Sequence, residues 1–221
     1  MDSSSIKNIL IILAGGSGSR YKADTPKQYT MINGKELIRY SIEEFLYSEK
    51  TDRIIVVMNN DVNKMREIRE HYPVDTIVGG RERAYSFQNA LDYICENYPC
   101  CKKVIFHEAA RPMVKKEIID RYFDLLDEYD YIETCTKIRD SLGSYIVNAP
   151  RREDYYLIQA PEAYKFSVLQ QYYNADSEIY FAAQQFPAFV KGYQCFDVQN
   201  NIKLTTPDDK VLVEYLLSQQ H

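Results

Sequence analysis

The sequence lacks the patterns that mark several common classes of protein. Its five cysteines include no C-x-x-C pair, and they form no zinc-type spacing with the three histidines. No apolar run is long enough to span a membrane, and the short run at 9–13 lacks the length and cleavage motif of a signal peptide. We therefore expect reduced thiols and a cytoplasmic protein without a membrane partner.

An excess of positive charge is also absent. The chain has 27 Lys and Arg against 32 Asp and Glu, a net charge of −5. Binding to nucleic acid depends on neutralising phosphates, so an acidic chain is a poor candidate for it, although a local cation cluster can still hold a small anion. With 221 residues, 45% of them hydrophobic, the chain can build a folded core, and we expect a single domain over residues 1–221.

Strand-like and helix-like patterns alternate along most of the chain. Continuous apolar runs at 9–13 and 53–58 are typical of strands buried on both faces, whereas 37–47 and 83–97 carry apolar residues at helical spacing. This order predicts an α/β fold with a doubly wound, mostly parallel, Rossmann-like sheet. Such sheets bind ligands at the carboxyl ends of their strands. Three segments fall there: 14–20, 79–83 and 108–112.

The alternation stops between about 140 and 160. This stretch holds Gly143 and Pro150, ends before Pro161, and contains short β-like pieces at 145–147 and 155–158. We predict that it forms a β-arm protruding from the domain.

Helical patterns return after the arm, at 165–174 and at 177–186. A last helix is predicted after Thr206, which can act as N-cap and is followed by Pro207 and two aspartates. We expect its buried stripe to consist of Val211, Leu212, Tyr215 and Leu216.

A glycine-rich segment, Ala14-Gly15-Gly16-Ser17-Gly18, directly follows the first strand. Glycines let the backbone approach a phosphate, and successive N–H groups form an anion cradle. It is not a P-loop, because no Gly-Lys-Ser/Thr ends it, and Tyr21 stands where a dinucleotide-binding loop needs its third glycine. Arg20 and Lys27 flank the loop, and two cations around such a cradle predict a triphosphate site.

Several motifs in register give the chain a family resemblance. The loop at 13–20 is followed by Pro26-Lys27-Gln28, and further matches lie at 79–86, 107–112, 138–141 and 201–208. In this order they resemble the motifs of the CTP-dependent cytidylyltransferases that activate phosphorylated polyols, such as 2-C-methyl-D-erythritol 4-phosphate or ribitol 5-phosphate. The resemblance implies an enzyme that transfers CMP from CTP to a polyol phosphate, releases pyrophosphate and uses Mg²⁺.

The resemblance also implies roles in the nucleotide half of the site. Gly79, Gly80 and Ser86 belong to a segment that reads cytosine, together with the glycine loop. Lys203 would lie at the α-phosphate, where it stabilises developing charge with Arg20 and Lys27.

The acceptor half is implied in the same way. Glu108, at the end of a strand, would contact Mg²⁺ or the polyol hydroxyls, and Arg111 and Ser141 belong to matching motifs. In the family the arm pairs two subunits, so Arg152, or Arg151 if the register is off by one, would reach the partner's substrate phosphate. We therefore expect a homodimer.

The chain departs from the family pattern mainly where the polyol binds. Glu108 replaces the usual aspartate, Tyr85 replaces an acidic residue, and Ile179 and Tyr180 align with a Thr-Asp pair that helps to hold the polyol. Since the nucleotide motifs are kept, we expect CTP as donor but an acceptor other than 2-C-methyl-D-erythritol 4-phosphate, in a cell-surface polysaccharide pathway.

Two other classes of function remain open at this level. A nucleotide-binding protein that has lost catalysis would fit the altered acceptor residues. An NAD(P)-dependent oxidoreductase shares the βα architecture, but it needs a third glycine and an acidic residue after the second strand, where this chain has Met-Asn-Asn at 58–60.

Overall fold

The computed structural model describes residues 3–16, 21 and 26–219, and within these ranges it contains nine strands and six helices. The strands are β1 (Asn8–Ala14), β2 (Met31–Ile32), β3 (Lys35–Glu36), β4 (Arg53–Met58), β5 (Asp75–Val78), β6 (Lys103–Glu108), β7 (Tyr131–Lys137), β8 (Tyr156–Lys165) and β9 (Gly192–Cys195). The helices are α1 (Leu37–Phe45), α2 (Val62–His71), α3 (Arg83–Asn97), α4 (Lys116–Leu125), α5 (Phe166–Tyr172) and α6 (Pro207–Ser218).

Seven of the strands form one sheet in the order β5-β4-β1-β6-β8-β7-β9, and β2 and β3 form a separate hairpin. Strands β5, β4, β1 and β6 are parallel, β8 runs antiparallel to both β6 and β7, and β9 is parallel to β7. The predicted α/β fold with a mostly parallel sheet is therefore confirmed.

Helices cover both faces of the sheet. Along β1, Leu10 and Ile12 pack with α1, α2 and α4, whereas Ile9 and Ile11 pack with α3 and α5. Successive side chains of a strand point to opposite faces, so a strand between two helix layers must be apolar at every position. This accounts for the continuous apolar run that predicted β1.

The sequence patterns missed two strands of the main sheet and the short β2–β3 hairpin, and they misassigned one segment. β7 is interrupted by polar residues and β9 has only four residues, so neither has the apolar run of a central strand. The helix predicted at 177–186 is wrong, because only Ala182–Gln185 forms a 3₁₀ turn there. Gln185 fixes the irregular part of this segment by accepting from Asn174 N–H and donating to the Ile179 carbonyl.

The predicted arm connects β7 with β8. Residues 138–155 contain no strand, so the β-like piece at 145–147 is wrong, and the second piece belongs to β8, which begins at Tyr156. Arg152–Asp154 forms a single 3₁₀ turn. Tyr145 and Ile146 are almost fully exposed, because nothing in the described part of the chain packs on them.

The last helix turns a different face inward from the one predicted. Val213 and Leu217 of α6 are buried with Ile32 of the β2–β3 hairpin, whereas Val211, Leu212 and Tyr215 are exposed. The predicted stripe is therefore wrong at these three positions, whereas its fourth member, Leu216, is partly buried against the same small cluster. None of the helices in the described ranges is both long and apolar enough to cross a membrane.

Candidate active site

A cavity of about 480 Å³ opens at the carboxyl ends of the parallel strands. Its wall is formed by residues 14–16 at the end of β1, the start of α3, the end of β6 and the segment before α6. Gly18 and Arg20 lie outside the described residues. The predicted site residues that line the cavity are Ala14, Gly15, Gly16, Lys27, Gly80, Ser86, Glu108 and Lys203.

Backbone hydrogen bonds tie these distant segments together. Ala109 N–H donates to the Leu13 carbonyl at 3.1 Å, which joins the end of β6 to the glycine loop. Leu204 N–H donates to the Ala110 carbonyl at 2.8 Å and so brings Lys203 beside Glu108. The strand order β5-β4-β1-β6 places the loops that follow β5, β1 and β6 at one edge of the sheet.

The turn into α3 passes close to the first turn of the helix. Gly80 N–H donates to Ser86 Oγ at 3.0 Å. A Cβ on Gly80 would lie 2.3 Å from the Cβ of Tyr85, so only glycine fits this approach. Ser86 is buried and accepts this bond, which leaves its hydroxyl proton for a ligand in the cavity.

Glu108 lies at the centre of a cluster of cations. Its Oε2 is 2.7 Å from Lys203 Nζ and 3.2 Å from Arg111 Nε, and its Oε1 is 3.6 Å from Arg83 Nε. Burial opposes ionisation of this carboxyl, but the charges of Lys203, Arg111 and Arg83 outweigh it and lower the pKa of Glu108 to about 2. The carboxylate is therefore ionised at neutral pH and holds the cations at the cavity wall.

Arg111 lies behind Glu108. It is buried, and its Nη1 donates to the Asn201 carbonyl at 2.7 Å while its Nε faces Glu108. It is not among the residues that line the cavity. This position suits a residue that fixes Glu108 and the segment around Lys203. It does not suit the predicted role of Arg111, which was direct contact with the substrate.

The two arm residues of the predicted site are not brought into the cavity of their own chain. Arg152 is exposed, donates from Nη1 to the Arg139 carbonyl at 2.6 Å, and pairs with Glu153 at 3.1 Å. Ser141 is also exposed and does not line the cavity.

His107 points away from the cavity although it precedes Glu108. It is fully buried, its Nε2 lies 3.2 Å from Ser41 Oγ, and its ring meets Phe45 edge-on at 4.9 Å. Neighbouring residues of a strand face opposite sides of the sheet, which separates the two side chains. Burial lowers the pKa of His107 to about 3, so the ring is neutral and structural.

Protonation of His107 is expected to limit stability in acid. The pKa of His107 is about 3 in the folded chain and 6.5 when unperturbed, so below pH 6.5 the unfolded chain binds a proton that the folded chain does not. The contribution of the neutral His107 ring to the free energy of unfolding is complete above pH 6.5. It is lost as the pH falls towards 3, at about 1.4 kcal/mol per pH unit. The free energy of unfolding, measured with urea between pH 7 and pH 4, should therefore fall less steeply with decreasing pH for His107→Gln than for the wild type. Equal slopes would contradict this prediction.

Sequence patterns did not single out Arg83 or Glu162, whereas Tyr180 was already noted as a departure from the family pattern. Arg83, the first residue of α3, lines the cavity and pairs with both Glu108 and Glu162. Tyr180 also lines the cavity, with its ring 5.8 Å from the Arg83 guanidinium. Arg83 occurs in the motif at 79–86, but no local signal marks Glu162, whose partner is 79 residues away.

A family model described as "IspD: 2-C-methyl-D-erythritol 4-phosphate cytidylyltransferase" matches residues 8–219. The chain is 29% identical over 217 residues to the 2-C-methyl-D-erythritol 4-phosphate cytidylyltransferase of Thermosipho melanesiensis, covering 93% of this chain and 96% of that protein. It is 33% identical over 177 residues to a bifunctional IspD/IspF enzyme of Pelagibacter ubique, covering 78% of this chain and 47% of that enzyme.

Solved structures show the same architecture. The 4-diphosphocytidyl-2C-methyl-D-erythritol synthase of Anaerococcus prevotii is similar with a TM-score of 0.81 at 22% identity, covering 98% of this chain and all of the other. The bifunctional IspDF of Campylobacter jejuni is similar with a TM-score of 0.78 at 26% identity, over 92% of this chain and 53% of that one. These similarities extend over nearly the whole chain.

Proposed function

The chain belongs to the IspD family of 2-C-methyl-D-erythritol 4-phosphate cytidylyltransferases, and from this membership we propose that it transfers CMP from CTP to 2-C-methyl-D-erythritol 4-phosphate. It is a nucleotidyltransferase. The observation that carries the proposal is one cavity lined by residues 14–16, by Gly80 and Ser86, and by two lysines, Lys27 and Lys203.

The proposed reaction is an in-line displacement at phosphorus. A phosphate oxygen of the acceptor forms a bond to the α-phosphorus of CTP, the bond from that phosphorus to the bridging oxygen breaks, and pyrophosphate leaves with the electron pair. Lys203 would stabilise charge at the α-phosphate, and Lys27, with Arg20 as predicted, would stabilise the departing pyrophosphate.

No general base is needed for this reaction, because the attacking phosphate is already an anion. Its rate then depends on positioning and on charge stabilisation. His107 is the histidine beside the cavity, but it is fully buried and its side chain faces the other side of the sheet, so it cannot reach a substrate in the cavity.

We propose that Mg²⁺ binds with CTP, held mainly by phosphates and water, where it would neutralise triphosphate charge. The described residues contain no group of three or more His, Cys, Asp or Glu side chains that could hold a metal ion. Glu108, the predicted metal ligand, already contacts cations through both oxygens, so it would have to release one of them to bind the ion.

The proposed acceptor differs from the one expected from the sequence departures. The family model and the relatives from Thermosipho carry the name of methylerythritol phosphate, which favours that polyol over a different one. Tyr180 lines the cavity where the alignment expects a polar pair, and Asp176 accepts a hydrogen bond from Tyr85 outside it. The acceptor therefore needs a direct comparison.

We further propose a homodimer formed through the 138–155 segment, with Arg152 contacting the acceptor phosphate in the partner's cavity. The segment exposes Tyr145, Ile146 and Tyr155, an apolar surface of the kind that subunit contacts bury. Arg152 does not line the cavity of its own chain, so a role in catalysis requires a second subunit.

Pyrophosphate release tests the reaction. With Mg²⁺ and 2-C-methyl-D-erythritol 4-phosphate, CTP should be turned over in preference to UTP and ATP, and EDTA should abolish the release. With CTP fixed, methylerythritol phosphate should have a higher kcat/KM than ribitol 5-phosphate or glycerol phosphate.

The other outcomes are informative in different ways. Preferred turnover of ribitol 5-phosphate would support the expectation from the departures at Glu108 and Tyr180. Calorimetric binding of CTP without pyrophosphate release under any acceptor would identify a protein that has lost catalysis. Preferential binding of NAD would overturn the proposed function.

A further inference from the structure

A buried carboxylate lies directly behind the cavity wall and has no part in the reaction proposed above. Glu162, on β8, has no exposed surface. Its Oε1 accepts from Arg83 Nη2 and its Oε2 accepts from the Tyr164 hydroxyl. A fully buried ion pair is weak evidence for stability, because desolvation offsets much of its attraction. Its position against the site suggests a role in holding Arg83.

Arg83 bridges two carboxylates. Its Nη2 is bonded to Glu162, while its Nε is 3.6 Å from Glu108. The guanidinium is a rigid planar fork, so partners at two of its nitrogens fix its orientation as well as its position. Its side chain is 19% exposed and lines the cavity.

Arg83 is attracted by both Glu108 and Glu162. Lys203, Arg111 and Arg83 all approach Glu108, but the contact of Arg83 is the longest of the three, 3.6 Å against 3.2 Å for Arg111 and 2.7 Å for Lys203. Without a charge on Glu162, Arg83 would be drawn onto Glu108 and would compete there with Lys203.

Arg83 lies in the part of the cavity wall that is proposed to bind the nucleotide. Arg83 precedes Ser86 by three residues in α3, so the two side chains share one face of the helix, and both line the cavity with Gly80. We propose that Glu162 is a positioning residue for CTP: it holds the Arg83 guanidinium beside Gly80 and Ser86, where the guanidinium contacts the bound nucleotide. This rests on the proposed use of CTP.

Glu162→Gln removes the charge but keeps the size of the side chain and an acceptor for Arg83. We expect the Kd for CTP, measured by calorimetry with Mg²⁺, to rise about tenfold. This is the usual effect of losing one charge-assisted hydrogen bond to a ligand. The KM for CTP should rise in parallel, while the melting temperature stays near that of the wild type.

Glu133→Gln is the matched control. Glu133 is a second buried glutamate, opposite Glu162 in the register of β7 and β8, and its hydroxyl partner is Tyr156. The same substitution there should leave the Kd for CTP unchanged, because Glu133 has no contact with Arg83 among the described residues.

A double variant separates positioning from folding. Arg83→Met leaves a buried charge on Glu162 without its cation, so it should lower the melting temperature, and adding Glu162→Gln should restore much of it. The affinity for CTP should not recover and should equal that of Arg83→Met alone, since Glu162 acts through Arg83.

Wild-type affinity for CTP in Glu162→Gln would overturn the proposal, as would an additional loss in the double variant. These outcomes can be distinguished from a failure of the proposed function. In that case the wild type itself would bind no CTP, and the proposed role of Glu162 would be refuted as well.

Discussion

Replacing Lys203 by alanine is expected to lower kcat by about a hundredfold or more, the usual cost of removing one preorganised charge contact from a transition state. Lys203 Nζ is held 2.7 Å from Glu108 before substrate binds, so its charge is in place when the α-phosphate becomes more negative. The fold should survive, because Glu108 keeps Arg111 and Arg83 as partners. Lys27→Ala is expected to lower kcat by a similar factor.

The measurement is steady-state pyrophosphate release at saturating CTP and acceptor, with circular dichroism to check folding. Lys210→Ala is the control, because it removes a nearby lysine that pairs with Glu214 on α6 and does not line the cavity. Normal turnover by Lys203→Ala in saturating substrate would show that the lysine has no role at the α-phosphate.

Mixing two inactive variants is expected to restore activity if the site is shared between subunits. Arg152→Ala and Lys27→Ala should each be nearly inactive as homodimers, since each removes one residue from both sites. In a mixed dimer one site regains both residues, so an equal mixture that exchanges freely should recover about a quarter of wild-type activity.

The control for this experiment mixes Lys27→Ala with Lys203→Ala. Both lysines line the same cavity of one chain, so every site in the mixed dimer still lacks one of them and no activity should return. Subunit exchange is verified with two affinity tags. A strictly monomeric protein in sedimentation, or exchange without recovery in the first mixture, would refute the shared site.

Part of the cavity could be predicted from the sequence because its signals are local. The glycine loop follows a continuous apolar run, so the strand and the anion cradle at its end can both be identified within a dozen residues. Gly80 and Ser86 are six residues apart and form their hydrogen bond within the motif at 79–86, which contains both. Thr206 likewise marked the start of α6, where its N–H donates to Asp209.

Other features of the cavity depend on which distant segments meet. The sequence places Glu108 at the end of a strand, but only the packing of α3 and of the segment before α6 against the sheet brings Arg83 and Lys203 to it. Glu162 meets Arg83 because β8 lies next to β6. The orientation of His107 also depends on the register of β6, which turns it inward and its neighbour outward.

Local patterns were enough to predict the α/β fold and to find the family motifs, because apolar periodicity and turn chemistry act over short stretches of chain. Tertiary structure alone decided the three cations around Glu108, the pairing of Arg83 with buried Glu162, and the inward face of α6. The charge on a side chain is fixed by its chemistry. Its partner is fixed by the strand order and helix packing that bring residues far apart in the chain within a few ångströms.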